Sequence, residues 1–88
     1  MMLYLARKLH LPSGEFLSRY VVCVDDGEVM WWTPFESECQ SMIFAEELLL
    51  SPSPDLLSFH AGDAVSFYTS GVLYVYEVAP SGELHRIY

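Results

Sequence analysis

Apolar and polar residues alternate along this chain in short runs closed by turn signals, a pattern that predicts an all-β domain. From Leu3 to Leu11 the odd positions Leu3, Leu5, Leu9 and Leu11 are apolar. Lys8 and His10 alternate with them and Arg7 is the one break, so the segment reads as a half-buried strand. Pro12-Ser13-Gly14 ends it. Phe16 to Val24 is apolar on both parities, with Phe16, Tyr20, Val22 and Val24 on one and Leu17, Val21 and Cys23 beside Arg19 on the other. That is the pattern of a strand partly covered on both faces. Asp25-Asp26-Gly27 follows, and an Asp-Gly step between two β-prone runs predicts a tight hairpin in which Glu28 to Thr33 pairs back on its predecessor.

Pro34 and Glu36-Ser37-Glu38 end the third strand. Two readings compete for the segment after it. Ser37 and Gln40 have capping-box spacing and Ala45 to Leu50 has high helix propensity, which favours one short helix near residues 37–50. Met42, Phe44, Leu48 and Leu50 share a parity, which favours a strand with a break near Glu46. Ser51-Pro52-Ser53-Pro54-Asp55 is a loop, because two prolines cannot donate to a ladder and restrict the residues before them. Ala64 to Thr69 and Val72 to Val78 flank Ser70-Gly71 as a second hairpin. Ala79-Pro80-Ser81-Gly82 turns the chain again, and Leu84 to Tyr88 makes a short last strand, at a sheet edge where Arg86 discourages pairing with another molecule. The expected architecture is a small β-sandwich or open barrel of about six to eight short strands with hairpins.

With 88 residues the chain holds one domain, residues 1–88, and one core. A hydrophobic share of 52% with thirteen aromatic residues argues for a folded chain despite a net charge of −8. Twelve acidic against four basic residues provide no cationic patch for a phosphate backbone or an anionic lipid surface, so neither nucleic acid nor membrane is an expected partner. The longest apolar runs fall far short of the roughly 20 residues of a spanning helix. The first eight residues place their charges after the apolar stretch, the reverse of a secretory signal, and the expected compartment is the cytoplasm. Cys23 and Cys39 have neither the paired spacing of a metal or redox site nor the density of a disulfide scaffold, and read as reduced packing or surface thiols.

Catalytic patterns are missing. His10, His60 and His85 are scattered, and His60 with Asp63 is the one tight mixed pair, better read as a loop hydrogen bond than as a site. Neither a nucleophile elbow nor a glycine-rich phosphate loop occurs. The acidic pairs Asp25 and Asp26, Glu36 and Glu38, and Glu46 and Glu47 read as solvated turns. No catalytic residue, cofactor or metal is expected, and the chain is read as not an enzyme.

The aromatics carry the one functional clue. Trp31 and Trp32 are neighbours on an expected strand and point to opposite faces, so one core layer cannot hold both. Tyr74 and Tyr76 share a face of a later strand. Trp31, Trp32, Tyr74 and Tyr76 are therefore the candidate interaction surface, for a protein partner or a second copy of the chain. The competing explanation is that both sheet faces are covered. A second use of the same residues is a stacking platform for a small ligand such as a carbohydrate.

The order of several segments resembles a known family. Leu11-Pro12-Ser13-Gly14-Glu15, Tyr20 to Val29 with its Asp-Gly turn, Pro34-Phe35-Glu36-Ser37-Glu38, then Phe44 and Leu48-Leu49-Leu50-Ser51-Pro52 together look like the N-terminal segment of amidohydrolase-superfamily enzymes, over roughly residues 9 to 52. In that family these strands join a C-terminal segment to form a small β-sandwich, the composite domain, beside a metal-binding barrel. The resemblance implies that Asp55 to Tyr88 stands for the C-terminal segment, and it favours strand over helix in 40–50. Where the family carries Asp-x-His-x-His, this chain has Asp55-Leu56-Leu57-Ser58-Phe59-His60, with Ser58 in the first histidine position. The resemblance therefore implies a fold without a catalytic residue. A remnant hydrolase-like metal site would need His60 and Asp63 to meet a further ligand such as His10 or His85. The leading expectation is a non-catalytic interaction or self-association module.

Overall fold

Six strands and no helix occur among the residues that the computed structural model describes, 1–36, 41–54, 56 and 71–88. They are β1 (Met2–His10), β2 (Phe16–Asp25), β3 (Glu28–Pro34), β4 (Met42–Ser51), β5 (Tyr74–Val78) and β6 (Leu84–Ile87). All belong to one mixed sheet in the order β3-β2-β1-β4-β5-β6. Neighbours run antiparallel except β1 and β4, which are parallel. The all-β class expected from the pattern is the class observed. Where a helix competed with a strand over 37–50, the chain from Met42 onward is strand, while 37–40 lie outside the described residues.

The β2–β3 hairpin follows from its turn. Asp26 and Gly27 both have positive φ, 53° and 79°, the requirement of the two-residue turn whose twist matches the flanking strands. Asp25 then pairs with Glu28 and Val24 with Val29. A bulge leaves Met30 without a register partner, so that Cys23 pairs with Trp31.

The sheet curls round on itself. Glu28 of β3 pairs with Tyr74 of β5, and the Val29 N–H donates to the Leu73 carbonyl at 2.8 Å. β1, β2, β3, β5 and β4 thus form a ring, and the architecture is the barrel-like one of the two expected. The ring encloses Ala6, Leu9, Val22, Val24, Ala45, Leu48, Leu50, Leu73 and Val75 as its core, with Leu17, Tyr20 and Val29 packed against them.

The inward residues do not keep a two-residue period. They are Tyr4, Ala6 and Leu9 on β1 with Leu11 just past its end, Leu17, Tyr20, Val22 and Val24 on β2, and Ala45, Leu48 and Leu50 on β4. Each strand contains one step of three, and the three steps lie side by side: Ala6 pairs with Tyr20 and Ala45, Leu9 with Leu17 and Leu48. Slipping together keeps the three strands in register. Arg19, at the slip, takes a left-handed φ of 59°. The expected half-buried face of β1 is corrected by this slip: Leu9 and Leu11 face the core, but Leu3 and Leu5 face outward.

The last strand, β6, lies at the edge of the sheet as expected, paired with β5. On it the Arg86 guanidinium lies 4.3 Å from the Tyr74 ring and 4.6 Å from the Tyr88 ring, and Nη1 donates to the Pro54 carbonyl at 3.1 Å. Of the second hairpin, β5 is observed, paired with β4 and β6, while 64–70 lie outside the described residues.

Gly27 is buried at this junction, where an added Cβ would meet Arg86 Nη2 and Tyr88 Cδ1 at 3.4 Å. Contact at that distance is tolerable, but the positive φ is not. Gly27→Ala is expected to lower the unfolding free energy by about 1–2 kcal/mol, read from the midpoint and slope of urea denaturation.

Candidate interaction surface

The register fixes which side chains share the outer face. One row across four strands is Trp31, Cys23, Leu3 and Met42; the next is Thr33, Val21, Leu5 and Phe44. Val21 and Cys23 are buried, but the flanks stand out, with Trp31 45% and Phe44 62% exposed. Trp31, Thr33 and Met42 wall an open groove of about 200 Å³ over Leu3 and Val21, with Pro34 and Glu36 at its end.

A charged belt crosses the sheet below these rows, at the slip. Arg19, Arg7 and Glu46 fall there between the paired Ala6 and Lys8 rows, followed by the row Ser18, Lys8 and Glu47. Arg7 Nε pairs with Glu46 Oε1, and Arg19 lies 5.5 Å over the Phe35 ring. Because the slip turns two successive residues of each strand outward, it exposes polar groups that a regular pleat would bury.

Beyond the belt the outer face is covered at His10 and Leu49 while Phe16 stays exposed. Phe16, His10 and Leu49 form the next row. His10 is 3% exposed, its Nε2 bonded to Glu47 Oε2 at 2.5 Å and its ring tilted against Phe16 at 5.9 Å. Leu49 joins a second apolar cluster with Tyr76, Val78 and Leu84, against which Leu56 and Tyr74 pack. The Tyr76 hydroxyl donates to the Ser53 carbonyl at 2.5 Å and accepts from the Leu56 N–H at 3.2 Å. Tyr76 thus fastens the proline loop across the outer face of β4 and β5.

The four aromatics singled out in the sequence do not form one platform. Trp31 lies on the outer face. Trp32 is on the inner side in register with Val22, yet 38% exposed, where β3 has passed its pairing with β5. Tyr76 is 1% exposed, which removes it from any contact surface, and the Tyr74 ring carries Arg86. The strand parity of Trp31 and Trp32 is legible in sequence; Leu3, Leu5, Met42 and Phe44 were missed as outer-face residues because their apolar parity read as core. Their signal is the register between β1 and β4, which no local pattern encodes.

Catalytic geometry is sparse. Among the described residues no three of His, Cys, Asp and Glu come together to hold a metal. His10 pairs with Glu47 and His85 with Glu83 at 3.1 Å, while His60 and Asp63 lie outside the described residues. Cys23 is a buried free thiol; Cys39 also lies outside them. No helix among the described residues is long and apolar enough to cross a membrane. The chain matches no protein-family model, and no curated protein or solved structure is detectably similar to it.

The two apolar zones should respond differently to substitution. Tyr76→Phe removes the hydroxyl that donates to the Ser53 carbonyl and accepts from the Leu56 N–H, and is expected to cost about 1–2 kcal/mol of stability. Phe44→Thr, at a solvent-facing strand position, should change it by less than about 0.5 kcal/mol. Paired chemical denaturation curves check both.

Proposed function

We propose that this chain is a non-catalytic protein-contact module and that its working surface is the outer face of β3, β2, β1 and β4 above the charged belt. The observation that carries this reading is the exposure of two large aromatics, Trp31 and Phe44, at the flanks of the two apolar rows beside the charged belt. Exposed large apolar side chains with a polar border are what protein interfaces use, and tryptophan is favoured at their centres. The groove supports a protein contact over a small ligand, because Thr33 and Glu36 alone supply polar side chains to its described lining. A carbohydrate platform gains no support from Tyr74 and Tyr76, one under Arg86 and the other buried. The net charge of −8 favours a partner other than nucleic acid.

A photo-crosslinking amino acid placed at position 44, in the native cells, is expected to yield a protein adduct of discrete mass. The same group at position 16, exposed beyond the belt, should not. Equal adducts from both positions, or none from position 44, would overturn the reading.

A further inference from the structure

Resting on the contact reading above, we infer that the groove receives an arginine side chain of a partner protein, its guanidinium over the Trp31 ring and against the Glu36 carboxylate. The groove has the parts for such a side chain. Leu3 and Val21 form an apolar floor and Met42 an apolar wall, along which a long aliphatic stem can lie. Glu36 stands at the end and is the one charged residue of the described lining.

Charge complementarity names the occupant. The sequence holds four Lys and Arg residues, and each is engaged elsewhere. Arg7 pairs with Glu46, Lys8 lies 5.2 Å from the Phe16 ring, Arg19 lies 5.5 Å from the Phe35 ring, and Arg86 stacks between Tyr74 and Tyr88. Among the described residues none forms an ion pair with Glu36, which is exposed, and no cation lies over Trp31. Tryptophan is the aromatic that holds a cation best, so this chain occupies its weaker rings and leaves its stronger site open beside an unpaired carboxylate.

A guanidinium answers both groups at once. Its plane stacks on an indole and its fork of N–H donors matches a carboxylate, whereas the ammonium of a lysine is a point charge that does neither as well. The net charge of −8 also draws a basic partner toward the chain. Because each Lys and Arg of this chain already has a contact of its own, a different protein supplies the side chain. Phe44, on the same outer face and 62% exposed, is then available to the apolar residues that flank the arginine.

The test is a heteronuclear NMR titration of the full chain at low salt with the peptide acetyl-Gly-Arg-Gly-amide, the Trp31 indole N–H being assigned by its loss in Trp31→Phe. That signal is expected to shift and saturate. Citrulline in place of the arginine keeps the shape without the charge and should weaken binding about tenfold. Glu36→Gln, at an exposed position and checked for retained β-sheet circular dichroism, should weaken it about threefold. In the native cells, Glu36→Lys should lower the yield of the position-44 adduct about tenfold. An arginine peptide that leaves the Trp31 signal in place, a citrulline peptide that binds equally, or an adduct indifferent to Glu36→Lys overturns the inference, while the adduct itself upholds the contact reading. Absence of the adduct from the unaltered chain overturns that reading and this inference with it.

Discussion

The structure depends on a slip of the pleat that three strands take at the same level. A closed ring needs an unbroken inward face, and a single strand that lost its phase would push polar groups into the core and lose its pairing. Here β1, β2 and β4 lose it together, at Arg7, Arg19 and Glu46, so the ladders stay in register while the inward set continues from Ala6 to Leu9, Tyr20 to Leu17 and Ala45 to Leu48. The residues turned outward by the slip form the belt, in which Arg7 pairs with Glu46 and His10 with Glu47. One local irregularity therefore sets both the core and the border that divides the outer face.

Closure of the ring rests on a smaller set of contacts. β3 reaches β5 only at Glu28 and Tyr74 among the described residues, and Arg86 reinforces the joint from β6 by stacking between Tyr74 and Tyr88 beside Gly27. Its Nε is buried without a hydrogen-bond partner there. Such a group costs stability, and the two aromatic faces and the Pro54 carbonyl offset part of that cost. Beyond Glu28 the two strands part, which leaves the inward-facing Trp32 half-exposed.

Much of the fold was legible because it is local. The Asp26-Gly27 turn, the both-parity apolar run of β2 and the breaks at Pro12 and Pro52 are each carried by adjacent residues. What the pattern hid is non-local. Leu3 and Leu5 share a parity with Leu9, and only the shared slip separates them. Ala45 to Leu50 is as good a helix as a strand until β1 and β5 are present to pair with it on either side. The candidate surface suffered most. Tyr74 and Tyr76 have the alternation of an exposed face, but the proline loop that Tyr76 holds down comes from a segment twenty residues away, so their covering could not be seen from β5 alone.

The surplus of apolar residues then has a simple account. Strands apolar on both faces supply more hydrophobic surface than a ring of this size encloses. Around Leu49 and Tyr76 the chain covers the outer face with Leu56, fastened by the Tyr76 hydroxyl together with the Ser53 carbonyl. Above the belt no described segment does the same for Trp31, Met42 and Phe44. Simple core-forming need would place such residues inward or replace them by polar ones without loss to the ring, since Phe44 contributes little to a core it does not face.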